Sequence, residues 1–257
     1  MTLDFAPKPG AAPLPAMIRA QTGIELRLLV RNGEQLLLAL VIPLLLLIAG
    51  THSDEVVNLG PGRSIDIITP GVLALAVLST SFTSLAIATG FERRYGVIKR
   101  LGASPLPRSG LMFGKIGAVV IVEAMQLLIL SLVALALGWH PHGGIASIGW
   151  LVLLALLGTA AFGSLGLLIA GTLRAEATLA VANLVYVLLL VGGGVLVPLS
   201  RYPVGARTAL EWLPSGSLGQ GLRDVFAGHA PGIFPIAVLL IWAAVAGVLT
   251  AKTFEWE

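Results

Sequence analysis

The chain contains no cysteine, and that absence removes disulfides, thiolate metal sites and cysteine nucleophiles together. Charge is almost as scarce. Only 11% of the 257 residues are Asp, Glu, Lys or Arg, where a soluble domain carries roughly a quarter. Four scattered histidines do not form a metal-ligand cluster, and no metal site is expected. A phosphate cradle of the form Gly-x-x-x-x-Gly-Lys-(Ser/Thr) is missing too. The nearest stretch, Gly110 to Lys115, is one residue short and runs into Ile116, so ATP hydrolysis is not expected of this chain. The net charge is only +3, with 16 basic residues in all, which argues against nucleic acid as a partner. Nor does a cleavable signal precede the first long apolar run near Leu36, so insertion is expected through internal spans.

What the chain has is apolar surface: 56% of its residues are hydrophobic. A soluble fold of this size cannot hide that much, so a bilayer must serve as part of the solvent. Six apolar segments come near the roughly 20 residues that a spanning helix needs. They are Gln35–Thr51 (short and interrupted by Pro43), Ile67–Phe91, Ile116–Gly138, a span within Ile145–Leu173, Thr178–Pro198 and Gly232–Ala251. The expected fold is all-α: a polytopic membrane protein with six transmembrane helices in one domain, residues 16–257. Residues 1–15 are rich in Pro and Ala and read as a flexible tail. Met17–Asn32 reads as an amphipathic helix lying in the membrane surface. Its wheel places Leu14, Met17, Ile18, Ile24, Leu28 and Leu29 on one side and Arg19, Arg27 and Arg31 on the other.

Lysine and arginine set the expected orientation. Twelve of the 16 fall in the N-terminal segment, in the loop between spans two and three, or beside Arg174 and Lys252. The other four are Arg63, Arg201, Arg207 and Arg223. The positive-inside rule then puts both termini in the cytoplasm of a multi-pass inner (plasma) membrane protein, which an even number of spans also requires.

The basic loop after span two is too long for a tight turn. Glu92 to Leu101 is compatible with a short helix that Gly102, Pro105 and Pro107 end. Within it, Glu92, Gly96, Lys99, Leu101, Pro105 and Leu106 resemble the Glu-x-x-x-Gly-x-x-(Lys/Arg)-x-Leu-x-x-x-Pro pattern of type-2 ABC exporter permeases, the drug and antibiotic efflux branch. A second resemblance lies before the last span, where Pro214 is followed nine positions later by Arg223. The run between them, Ser215-Gly-Ser-Leu218, departs from the bulkier run common in that family. The resemblance extends from about Met17 to Ala251. It implies that Glu92, Arg93, Arg94, Gly96, Lys99, Arg100, Leu101 and Pro105 form a coupling helix seated in a separate ATPase subunit, which would bind ATP and Mg. It also implies an outer re-entrant helical hairpin before the last span, carrying Pro214, Leu218, Leu222 and Arg223. A second permease subunit, the same or similar, would complete the pathway within membrane lipid.

Polar residues inside the spans are candidates for the substrate path: Glu123 and Gln126 in span three, Asn183 and Tyr186 in span five. Buried carboxylates are costly in lipid and usually face a cavity or a partner. The expected function is the permease subunit of an ATP-driven exporter, with drug-like, lipid or glycolipid substrates. The principal alternative is a proton-coupled secondary transporter using Glu123. An intramembrane enzyme would need several converging ionisable groups, and the spans offer one. A scaffold subunit would bind an ATPase without transporting. Gly110-x-x-x-Gly114 reads as a close helix contact, and Gly192-Gly193-Gly194 as a site of close approach or unwinding. His140 and His142 read as a solvated loop.

Overall fold

The structure, a computed structural model, describes residues 10–51 and 63–253, and the side chains of all of these except 34–36 and 38. Most of the expected tail, residues 1–9, lies outside the described residues, and helix begins as early as Leu14. The described residues form an all-α bundle: α1 (Leu14–Arg31), α2 (Gly33–Thr51), α3 (Ser64–Leu78), α4 (Ser84–Arg94), α5 (Val97–Gly102), α6 (Arg108–Ala136), α7 (Gly144–Thr172), α8 (Ala175–Gly192), α9 (Val204–Glu211), α10 (Pro214–Phe226) and α11 (Ile233–Thr253). A π-turn over Ser79–Thr83 joins α3 to α4, so that one helix runs from Ser64 to Arg94.

Five helices are long and apolar enough to cross a membrane: Ser64–Arg94, α6, α7, α8 and α11. The sixth apolar segment is α2, whose stretch Ala39–Thr51 rises only about 20 Å against a hydrocarbon core of ~30 Å. The α3–α4 helix is the most enclosed. Nearly all of α3 is buried, and it meets α2, α6, α7 and α10. α7 is the central pillar, packed on α11, α4 and α10. Its Gly166 lets the backbones touch, since a Cβ there would sit 2.7 Å from the Phe82 carbonyl oxygen.

The π-turn has a local cause. Ser79 and Ser81 donate their hydroxyls back to the carbonyls of Ala76 and Val77, competing with the helix ladder one turn below. Pro43 disturbs α2 in a complementary way, because it lacks the N–H that would bond to Ala39. Gln126 of α6 repairs both irregularities. Its Nε2 donates to the Ala39 carbonyl, and its Oε1 accepts from Thr80 at 2.6 Å.

Three expectations need correcting. α6 starts two turns earlier than Ile116, because Pro107 and Arg108 open the helix at the point where the basic loop ends. α8 stops at Gly192 rather than Pro198. Gly194 adopts φ of 60°, and the chain then runs unwound. α1 does not bury apolar residues alone on its inner side: Gln21 and Glu25, which fall among the apolar residues of the wheel, are its buried residues, set against α6, while Ile24 and Leu28 are exposed. Gly114 admits Gln21 at that contact, as the Gly110-x-x-x-Gly114 spacing suggested.

Replacing Gln126 with Leu should cost about 1–3 kcal/mol by leaving the Ala39 carbonyl and Thr80 unsatisfied. Thermal unfolding of the detergent-solubilised chain would show this as a lowered midpoint. In a Pro43→Ala background residue 43 supplies its own N–H, so the same change should cost about half as much or less.

Candidate functional site

At the basic end of the bundle, α4 carries Glu92, Arg93 and Arg94 on its last turn, then breaks at Gly96, whose φ is 65°. The expected continuous helix over Glu92–Leu101 is therefore an elbow: the end of a long span, a left-handed glycine, and the short α5. Gly fits there because the left-handed region penalises any side chain. Arg100 fixes the elbow by donating to the carbonyls of Tyr95 (3.0 Å) and Gly96 (3.4 Å). Ile98 is buried, while Tyr95, Val97, Lys99 and Arg100 face outward. Leu101 is partly covered and Pro105 is exposed.

Glu92 turns into the bundle. Its carboxylate meets Lys115 Nζ at 2.6 and 2.7 Å, and Lys115 also pairs with Glu25 at 3.0 Å. Gln21 donates to Glu25 at 2.7 Å. One lysine, 2% exposed, thus ties together α1, the foot of α4 and α6. Burying three charges is expensive, and the cluster persists because each carboxylate shares the same ammonium. Arg93 donates to the carbonyls of Ala170 and Leu173 at 2.7 and 3.1 Å, closing the end of α7. Arg94 pairs with Glu176 of α8 at 3.4 Å on the surface.

Above this end, a cavity of about 560 Å³ opens between α2, the π-turn, α4 and α8. Ile42, Pro43, Ile87 and Phe91 supply apolar wall, and Ser79, Thr83, Asn183 and Tyr186 supply polar groups. The Thr83 hydroxyl finds no hydrogen-bond partner among the described residues. A few convergent polar groups in an apolar cavity of this size suit an amphiphilic organic molecule. Asn183 and Tyr186, two of the polar candidates, both line this cavity. Gln126 does not line this cavity, being spent on Ala39 and Thr80. Glu123 does not line it either. Buried on α6, it lies 2.7 and 2.9 Å from the Thr159 hydroxyl, which also bonds the Ala155 carbonyl at 2.8 Å. Thr159 has one proton to give, so the set is satisfied when Glu123 is neutral, donates to Thr159 and lets Thr159 donate to Ala155.

At the opposite end, Pro214 opens α10 at its first turn, where a missing N–H costs nothing. Leu218, Leu222, Val225 and Phe226 share a face, but that face packs on the bundle, with all four buried. α10 is thus lodged among α3, α7 and α11, while α9 buries no residue. Arg223 reaches the unwound stretch after α8, donating to the carbonyls of Gly194 (3.0 Å) and Val195 (2.7 Å). Gly71 of α3 abuts the Val195 carbonyl, so three elements meet there. His140 lies against Arg63 and the Gly138 carbonyl.

Residues 17–227, most of the chain, match the model of the ABC-2 type transporter membrane family. The chain belongs to the ABC-2 type transporter family. It is also similar to YvfS of Bacillus subtilis (strain 168), whose name describes it as a transport permease. That protein is 25% identical over 171 residues, covering 65% of this chain and 68% of the relative.

This ABC-2 permease thus has four polar clusters, and sequence reading named one member of each: Glu92, Gln126, Glu123 and Arg223. Glu25, Thr80 and Thr159 were missed because each matters only through a partner far away in sequence. Lys115, at the edge of span three, was visible only as a basic residue. Lys115→Met should destabilise the permease by about 3–5 kcal/mol, since two buried carboxylates lose their counter-charge. Adding Glu25→Gln and Glu92→Gln to it should restore most of the loss, read as the thermal midpoint in detergent.

Proposed function

We propose that this permease is one half of an ATP-driven exporter, with six spans when α2 is counted, working with a second permease subunit and two ATPase subunits that bind ATP and Mg. The basic end is cytoplasmic, following the positive-inside bias. The observation that carries this reading is the elbow at Gly96. α5 stands out from the bundle on a buried Ile98, shows Tyr95, Val97, Lys99 and Arg100 to a partner, and is fixed to α1 and α6 through Glu92 and Lys115. A push on α5 reaches α4, which walls the cavity through Ser84, Ile87 and Phe91. The substrate is exported through that cavity, with Asn183, Tyr186 and Thr83 as its polar contacts and the α9–α10 hairpin as the outer gate. Drug-like, lipid or glycolipid amphiphiles fit its mixed lining.

The proton-coupled alternative draws less support, because Glu123 is locked to Thr159 away from the cavity. Glu123→Gln keeps a donor toward Thr159, so transport should stay within about twofold of wild type. A loss of transport in that variant would restore the proton-carrier reading.

Purification of the tagged chain from gently solubilised membranes should bring down an ATPase carrying a Walker A motif, identified by mass spectrometry. Isolation without any ATPase at every detergent strength would sink the proposal. With the pair in hand, Lys99→Glu should lower coupled transport by about tenfold, while the thermal midpoint of the permease stays unchanged.

A further inference from the structure

A second cavity, of about 290 Å³, lies at the foot of α8 and is lined by Arg93, Arg94, Leu173, Arg174, Ala175 and Glu176. Three arginines and one glutamate line it, leaving an excess of two positive charges. Arg93 is held in place by the Ala170 and Leu173 carbonyls. The Arg94–Glu176 pair is half exposed and spans 3.4 Å, a weak contact that an incoming anion displaces readily. Planar guanidinium groups match phosphate oxygens well.

The position of this cavity relative to the larger one identifies the ligand. Glu176, Leu179, Asn183 and Tyr186 recur at three- and four-residue spacing, so they share one face of α8. Glu176 lines the lower cavity, Asn183 and Tyr186 line the upper one, and exposed Leu179 lies between them. Seven residues of helix separate Glu176 from Asn183, a rise of about 10 Å. On the facing helix, Phe91 lines the upper cavity and Arg94, one turn on, lines the lower. The two helices are held in register by a close contact, since a Cβ on Gly90 would lie 3.1 Å from Thr178 Cγ2. The stacked rings of Phe91 and Tyr95 sit at the same level, as aromatic residues do where lipid meets water.

We propose that the two cavities form one site for an anionic amphiphile, its phosphate held by Arg93, Arg94 and Arg174 and its acyl chain running up α8 into the upper cavity. This rests on the reading of the upper cavity as the substrate path and names the substrate class: an acidic, phosphate-bearing lipid taken from the basic side of the membrane. A free phosphate would use the arginines alone.

The test is binding of phosphatidylglycerol, phosphatidylcholine and glycerol phosphate to the purified full chain in detergent, followed by native mass spectrometry and competition. Wild type should bind phosphatidylglycerol about tenfold more tightly than phosphatidylcholine, and glycerol phosphate should fail to displace it. Arg94→Gln with Arg174→Gln, both exposed positions, should abolish the preference with no change in thermal midpoint. Asn183→Trp, which fills the upper cavity, should weaken phosphatidylglycerol binding about tenfold. A preference that survives the arginine changes would overturn the site. Displacement by glycerol phosphate would reduce it to an anion site, and indifference to Asn183→Trp would show that the cavities are separate; each overturns the proposal. So would an arginine variant that loses its ATPase while binding phosphatidylglycerol as before, which would make these arginines a docking surface. No ATPase enters the binding measurement, so a wild-type chain that binds the lipid but never co-purifies with an ATPase would sink the exporter reading alone.

Discussion

Inside a bilayer no water satisfies a stray donor or acceptor, so each break in a helix must be closed by another part of the protein. That constraint organises this structure. Pro43 frees the Ala39 carbonyl, and Gln126 takes it up. The hydroxyls of the π-turn disturb α3–α4, and Thr80 hands one of them to the same Gln126. The chain unwinds after Gly192, and Arg223 collects the carbonyls of Gly194 and Val195. In each case one long polar side chain reaches across from a different helix. Many polar residues of the spans are therefore fasteners, while Thr83, Asn183 and Tyr186 wall the cavity.

The same economy explains the basic end. Lys115 is buried two turns into α6, where a lone ammonium would be intolerable. It holds two carboxylates, one from the N-terminal helix and one from the foot of α4. Because α4 continues into the α5 elbow, α1 and the elbow share a single electrostatic joint. A force applied to α5 is thus resisted by charge pairing as well as by the packing of α4 on α7 and α8.

The resemblance to exporter permeases rested on two short patterns, and the structure assigns their residues unequal tasks. Glu92 faces inward to Lys115, Gly96 bends the backbone, Arg100 ties the bend, and Lys99 with its exposed neighbours faces outward. In the second pattern Pro214 starts a helix and Arg223 holds its neighbour's unwound end. Sequence spacing recorded both roles as one motif, since it carries no sign of which way a side chain turns.

Composition and the length of apolar runs by themselves determined the all-helical membrane fold, the positions of the spans to within two turns, and the glycines at close contacts. These follow from lipid thickness and from helix geometry, which act locally. The unwound stretch after α8, the polar inward face of α1, the burial of α10 and the partners of Glu92, Glu123 and Gln126 were decided by tertiary structure. Each depends on groups that meet across helices far apart in the chain, 23 residues for Glu92 with Lys115 and 87 for Gln126 with Ala39, and no local periodicity encodes that.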